Sequence, residues 1–131
     1  KWISLKGNLF TTIFYKVNPN YNLKKITQKN CLLIFKILKT IIKKKISIKY
    51  PNDILINRKK ICGILQEIIK YNNECFIIVG IGINIVSSPK INKYQTTYLN
   101  KYLNRNMSKY MVFFKIKKNF ENNLMNLQKC F

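Results

Sequence analysis

The chain has 131 residues, of which 47% are hydrophobic, and this is enough to form one domain with a buried core. Lys and Arg number 25 against 4 Asp and Glu, so the formal net charge is +21. Histidine is absent, which excludes a Ser-His-Asp triad, a Cys-His dyad and a histidine general base. The 4 Cys include no C-x-x-C pair, which disfavours a zinc ribbon or redox motif and favours a reducing, cytoplasmic compartment.

The first third of the chain predicts a strand followed by a helix. Residues 8–17 are rich in β-branched and aromatic side chains and alternate in polarity, which predicts a strand that ends at the Asn-Pro-Asn cluster 18–20. From 28 to 45 apolar residues recur at helical spacing with lysines opposite, which predicts an amphipathic helix lying on a sheet. The basic run 43–45 would then end this helix, where cations complement the helix dipole.

The rest of the chain predicts antiparallel hairpins and a last helix. The β-rich segments are 46–50, 54–57, 60–69 and 75–86, and their connections are too short for crossover helices. After Pro89 the chain becomes polar, and Ser108 is the predicted N-cap of a final helix. Its apolar stripe consists of Phe113, Ile116, Phe120, Leu124 and Leu127. This order predicts an α+β domain with a mixed, largely antiparallel sheet and helices packed on it.

Four kinds of residue in the hairpin region are candidates for a functional site. Asn52 and Asp53 follow Pro51 in a turn at a sheet end, where an Asx turn is the alternative interpretation. Lys60 begins an apolar strand, although a lysine in so basic a chain is most often solvated. Gly63 and the Gly80-x-Gly82 pair interrupt β-branched strands, which indicates either a ligand lying on the sheet or a bulge.

Three stretches of the sequence together resemble a known family. Residues 49–67 read K-Y-P-N-D-I-L-I-N-R-K-K-I-C-G-I-L-Q-E, residues 79–85 read V-G-I-G-I-N-I, and K-W-x-S at 1–4 is followed by G-N-L-F at 7–10. In order and spacing they resemble the catalytic domain of biotin protein ligases, whose fold is like that of class II aminoacyl-tRNA synthetases. The resemblance covers the core motifs in residues 1–86, and the remainder, a helical part from about 94 to 131, is similar only in outline.

The resemblance implies an ATP-dependent ligase with biotin as substrate and Mg²⁺ as cofactor. Such an enzyme forms biotinyl-5′-AMP and transfers biotin to a lysine of the biotin carboxyl carrier domain of acetyl-CoA carboxylase. Lys60 matches the family's catalytic lysine, which contacts both the biotin carboxylate and the phosphate. The implied biotin-binding residues are Lys60, Gly63, Leu65 and Phe10, and the implied ATP- or adenylate-binding residues are Trp2, Asn52, Asp53 and Asn84. Asp53 is also the candidate for contact with Mg²⁺.

The sequence departs from the family's pattern at several points. The family has a G-R-G-R-x-G-R loop directly before the match to Lys1, so the expectation is a catalytic domain truncated at its N-terminus. Tyr50 occupies a position where tryptophan is usual. No winged helix precedes the match and no recognisable C-terminal β-barrel follows it, so a repressor function is not supported.

Several alternatives stay open from the sequence. A lipoate or octanoate ligase has the same fold and similar motifs, and a decayed ligase would keep the fold without the activity. A basic nucleic-acid-binding module would use the positive charge, but Arg occurs only at 58 and 105, and no RNP-like aromatic pair is present. The apolar runs are too short, or too interrupted by Lys, to span a bilayer. Members of the family often pair through a sheet edge, so a homodimer is an open alternative to a monomer.

Overall fold

The structure is a computed structural model that describes residues 2–129, with side chains described from 2 to 124. The elements in chain order are β1 (Leu9–Val17), α1 (Leu23–Ile41), β2 (Ile46–Lys49), β3 (Asp53–Ile56), β4 (Lys59–Tyr71), β5 (Glu74–Ile83) and α2 (Lys109–Lys129). A short 3-10 helix, Leu99–Tyr102, lies between β5 and α2. All the predicted strands and both predicted helices are therefore present in the described part of the chain.

The five strands form one sheet in the order β1-β5-β4-β3-β2, and each neighbouring pair is antiparallel. Two of the hairpins close through tight turns in which two consecutive residues have positive φ: Asn57 and Arg58 between β3 and β4, and Asn72 and Asn73 between β4 and β5. This left-handed geometry matches the twist of paired strands, and asparagine tolerates it well. The predicted α+β class is confirmed.

The hydrophobic core lies between one face of the sheet and the two helices. Ile34 and Leu38 of α1 and Val112 and Ile116 of α2 are fully buried, as is Ile77 of the sheet. Along β1 and β4 the residues that alternate with the core positions remain exposed or half-buried. This second surface is called the open face below. Among the described residues, no helical stretch combines the length and hydrophobicity that crossing a bilayer would need.

The helix boundaries correct one prediction and confirm another. Helix α1 begins at Leu23 rather than near 28, because the side chain of Asn22 accepts a hydrogen bond from Lys25 N at 3.2 Å and caps it. It ends at Ile41, so the prediction that the basic run 43–45 ends the helix is wrong. Those lysines lie in the connection to β2. Ser108 does cap α2, since its Oγ accepts from Met111 N at 3.2 Å; the side chain of Leu127 lies outside the described residues.

Candidate active site

A row of paired residues crosses the open face near one end of the sheet. Phe10 pairs with Gly82, Gly82 pairs with Gly63, and Gly63 pairs with Asp53. Because neither central residue has a side chain, a flat group can lie directly against the backbone of β4 and β5 between an aromatic ring and a carboxylate. Gly63 and Gly82 are called the glycine floor below.

A β-bulge brings Lys60 to the same face as the glycine floor. Lys60 and Gly63 are three residues apart, and in a regular strand this odd spacing would place them on opposite faces. The pairing of β3 with β4 shifts register between Ile54 and Leu55, so β4 contains one extra residue. Consistent with this, Ile61 and Cys62 are both fully buried although they are consecutive. The shift returns the Lys60 side chain to the open face.

Lys60 and Asp53 form an ion pair beside the floor. Lys60 Nζ lies 2.9 Å from Asp53 Oδ1, and the two side chains are 16% and 23% exposed. Asp53 is the single aspartate in the sequence. The pair is partly shielded from water, so its electrostatic interactions are stronger than those of surface charges. Asp53 begins β3, and the carbonyl of its neighbour Asn52 accepts a hydrogen bond from Ile64 N at 2.9 Å, which ties the turn to β4.

The Trp2 indole covers the glycine floor. A Cβ built on Gly82 would lie 2.5 Å from Trp2 Cε2, and one built on Gly63 would lie 2.9 Å from Trp2 Cζ3, so a side chain at either position would collide with the ring. Phe10 meets the indole edge-on, with ring centroids 5.8 Å apart. Trp2 Nε1 is buried and has no hydrogen-bond partner, unlike the other buried side-chain polar atoms of the described residues. The indole N–H is therefore a hydrogen-bond donor without an acceptor at the site.

Two aromatic rings lie near the Lys60 ammonium group. Lys60 Nζ is 5.6 Å from the centroid of the Trp2 ring and 5.1 Å from that of Tyr94. These distances fall within the range of cation–π interactions. Tyr94 was not among the residues predicted from the sequence, because the polar stretch in which it occurs has no periodicity and carries no motif. It could be found only from its contacts.

The segment that carries Tyr94 is hydrogen-bonded to the backbone of Lys60. Lys60 N donates to Gln95 O and Thr97 N donates to Lys60 O, each at 2.9 Å, and Thr96 forms an isolated parallel bridge with Lys60. Among the described residues this bridge is parallel, whereas the pairings between the five strands are antiparallel. It fixes the position of residues 94–97 relative to the start of β4.

Asn84 lies behind the site with both ends of its amide engaged. It is 1% exposed; its Nδ2 donates to Thr97 O at 3.1 Å, and its Oδ1 accepts from Asn8 Nδ2 at 3.4 Å. Asn8 Oδ1 accepts from Ile85 N at 2.9 Å and Val86 N at 3.0 Å. The two asparagines thus fix the end of β5 against the segment that contacts Lys60. A direct contact of Asn84 with the adenylate stays a prediction.

A cavity of about 510 Å³ occupies this end of the open face. The predicted site residues that line it are Trp2, Phe10, Asn52, Asp53, Lys60, Gly63, Leu65, Gly80 and Gly82, and Tyr94 joins them. Leu65 is 65% exposed at the rim. A larger groove of about 810 Å³ lies between the end of β1, α1 and α2, but none of the predicted site residues lines it. The chemistry therefore favours the smaller cavity as the functional site.

The site contains no ready-made metal centre. Asp53 is engaged with Lys60, and the described residues include no group of three His, Cys, Asp or Glu side chains that could hold a metal ion. Mg²⁺ in nucleotide sites is commonly held by one or two carboxylates together with substrate phosphates and waters, and the one carboxylate among the residues that line this cavity is already paired with Lys60. Asp53 as a contact to Mg²⁺ stays a prediction.

The domain is of the α+β class, with an antiparallel sheet, helices on one face and a paired lysine beside the glycine floor on the other. Residues 1–84 match the sequence profile described as the Biotin/lipoate A/B protein ligase family. This match covers well over half of the chain, and the chain belongs to that family.

Individual relatives agree with this assignment. The bifunctional ligase/repressor BirA of Bacillus subtilis (strain 168) is 51% identical over 43 residues, which are 32% of this chain and 13% of BirA. The biotin protein ligase from Aquifex aeolicus in complex with biotin and ATP is 28% identical, with a TM-score of 0.76 over 98% of this chain and 55% of that chain. The Leishmania major enzyme in complex with biotinyl-5-AMP, at 22% identity and a TM-score of 0.74 over 90% of this chain and 55% of that one, shares the fold. This chain therefore spans about half the length of these solved ligases.

Proposed function

We propose that this domain binds biotin and ATP, joins them as biotinyl-5′-AMP, and transfers biotin to a lysine of a biotin carboxyl carrier protein. The observation that carries the proposal is the Lys60 ammonium group, held 2.9 Å from Asp53 at the edge of the glycine floor. Family membership supplies the reaction class, and the A. aeolicus complex with biotin and ATP supplies the two small substrates.

The first step requires a cation at the point where the negatively charged biotin carboxylate and the α-phosphate of ATP come together. The biotin carboxylate forms a bond to the α-phosphorus of ATP while the bond to the β-phosphate oxygen breaks and pyrophosphate leaves. A lysine that is only 16% exposed stabilises this charge more than a fully solvated one, because less water screens it. Lys60 is therefore the proposed catalytic residue, and Asp53 orients its ammonium group.

The second step requires a nucleophile that the domain does not itself supply. The amine of the carrier lysine attacks the carbonyl carbon of the biotinyl group, the anhydride bond breaks, and AMP leaves. The mixed anhydride also has to be protected from water before the carrier arrives. Trp2, Phe10 and Tyr94 are the aromatic side chains that line the cavity, and we propose that they exclude water from the bound adenylate.

The proposed function also includes a source of Mg²⁺ and a cellular compartment. Mg²⁺ would enter with the phosphates of ATP rather than on a site built by the described side chains, since they form no metal cluster. A reducing, cytoplasmic location is supported by Cys31, Cys62 and Cys75, which are all buried free thiols.

The test measures the exchange of pyrophosphate into ATP that requires an added carboxylic acid substrate. It is made separately with biotin, lipoate and octanoate. It is run on this chain and on a version extended upstream through the reading frame. Exchange with biotin, followed by labelling of a carrier domain, is the expected result. Exchange with none of the three acids in either version would contradict the proposal.

The second candidate function is ligation of lipoate, which the family description names, or of the related acid octanoate. Exchange with lipoate or octanoate, and none with biotin, would establish this function in place of the first.

A further inference from the structure

We propose that Tyr94 is a positioning residue for Lys60, whose ring keeps the ammonium group beside the glycine floor where the reacting carboxylate and phosphate meet. The inference rests on the proposed function for its catalytic consequence, while the contact itself can be tested separately.

Three groups surround the Lys60 ammonium in the described residues. Asp53 Oδ1 approaches to 2.9 Å, the Trp2 ring centroid lies at 5.6 Å, and the Tyr94 ring centroid lies at 5.1 Å. A lysine side chain has four rotatable bonds, so a carboxylate alone leaves it several conformations. Two aromatic faces remove many of these conformations and add an electrostatic attraction to the cation. Tyr94 makes the closer of the two aromatic contacts.

The backbone around Tyr94 explains why this ring stays close to Lys60. Gln95 O and Thr97 N are hydrogen-bonded to the main chain of Lys60, each at 2.9 Å. Thr96 Oγ1 donates to Pro89 O, which closes the preceding loop on itself. Gln95, the residue after Tyr94, is therefore hydrogen-bonded to the backbone of Lys60, and the Tyr94 ring lies against the side chain of the same lysine. These backbone hydrogen bonds hold the segment that carries Tyr94 at the start of β4, so the ring stays within reach of the Lys60 side chain.

The contact between Tyr94 and Lys60 should affect catalysis, because the rate of adenylate formation depends on how the ammonium group is aligned with the reacting groups. A catalytic group displaced by a small distance loses much of its effect, whereas binding of the substrate is less sensitive. Loss of the tyrosine ring should therefore lower kcat for adenylate formation more than it raises KM for biotin. The lost attraction predicts a decrease in rate of about fivefold to thirtyfold.

The kinetic experiment compares three variants with the unmodified chain. Tyr94→Leu removes the ring and should show the decrease, and Tyr94→Phe keeps the aromatic face and should recover most of the rate. Tyr110→Leu is the matched control: Lys109 Nζ lies 5.4 Å from the Tyr110 ring on α2, and Tyr110 does not line the cavity. This control should leave the rate unchanged. Equal rates for Tyr94→Leu and the unmodified chain would overturn the proposal.

A second measurement tests the contact without requiring activity. Lysine isotope-labelled at Cε gives one NMR signal for each lysine, and Lys60→Arg identifies the signal of Lys60. Two aromatic faces should shift this signal upfield, and Tyr94→Leu should remove part of the shift while Tyr94→Phe keeps it. A Lys60 signal that is insensitive to Tyr94→Leu would overturn the proposal. A sensitive signal in a chain that forms no adenylate would instead refute the proposed function and leave the positioning contact established.

Discussion

The open face of the sheet carries two lysine–carboxylate pairs with different surroundings. Lys60 and Asp53 lie beside the glycine floor, with side chains 16% and 23% exposed, and two aromatic rings flank the ammonium group. Lys16 and Glu74 pair at the far end of the sheet, where their side chains are 60% and 46% exposed. The residue types are alike, and the shielding from water differs. In a chain with so many lysines, the surroundings of a lysine identify the catalytic candidate better than its presence does.

After the loss of Lys60 itself, the largest expected effect comes from filling the glycine floor. Gly82→Ala places a methyl group 2.5 Å from the Trp2 ring, so the indole must move, and adenylate formation should fall by about a hundredfold. Trp2 is the single tryptophan of the chain, so its fluorescence should shift to the red in this variant. Gly80→Ala is the comparison, because its methyl group would meet Leu65 O at an ordinary 3.5 Å. Equal losses in the two variants would show that the floor at Gly82 has no special role.

Removing the negative charge of each lysine–carboxylate pair should lower the rate of adenylate formation at one end of the sheet and not at the other. Asp53→Asn keeps the shape of the side chain but loses the charge that orients Lys60, so the rate should fall by about tenfold. Glu74→Gln makes the same chemical change in the exposed pair and should leave both rate and stability unchanged. Exchange kinetics and urea unfolding of both variants check this. A decrease in rate for Glu74→Gln equal to that for Asp53→Asn would contradict the distinction.

The expected effect on stability, separate from any effect on the rate, is a loss in alkaline solution. Burial raises the pKa of the Cys31 and Cys62 thiols above their ordinary value of 9.0. Above about pH 9 the unfolded chain therefore binds fewer protons than the folded chain, and the free energy of unfolding falls as pH rises, by up to about 1.4 kcal/mol per pH unit for each thiol. Burial likewise raises the pKa of Tyr15 above 10.0, which adds to the decline at higher pH.

Urea unfolding at about pH 8 and about pH 10 measures this decline. Cys62→Ala removes one of the two thiols and should make the slope shallower. An unchanged slope in that variant would show that this thiol does not cause the decline.

The sequence predicted the sheet and most of the residues that the structure brings together at the candidate site, because local signals were strong. Alternating apolar residues and short asparagine turns indicated the hairpins, and the motifs identified Lys60, Asp53 and the glycine floor. The start of α1 was missed because four polar residues, 27–30, separate its first turn from the apolar stripe that begins at Cys31. The β-bulge that turns Lys60 toward the floor was also missed, since an extra residue leaves no distinct mark in a run of apolar residues.

Other features of the site depend on contacts between distant parts of the chain. Tyr94 reaches Lys60 through a parallel bridge that joins residues 36 positions apart, and no local pattern indicates such a bridge. Asn8 and Asn84 are similar: their amides meet in the folded domain, although each is one of many asparagines in the sequence. The motifs of the resemblance contain both asparagines, while only the structure gives their hydrogen-bond partners.

The most direct test of the central claim is biotin-dependent exchange of pyrophosphate into ATP by Lys60→Ala and Lys16→Ala, in whichever version of the chain is active. The account predicts that Lys60→Ala lowers the exchange rate by about a hundredfold to a thousandfold while the protein stays folded. Lys16→Ala, which breaks the exposed pair, should exchange at the unmodified rate. A folded Lys60→Ala variant with full exchange would contradict the assignment of Lys60 as the catalytic residue.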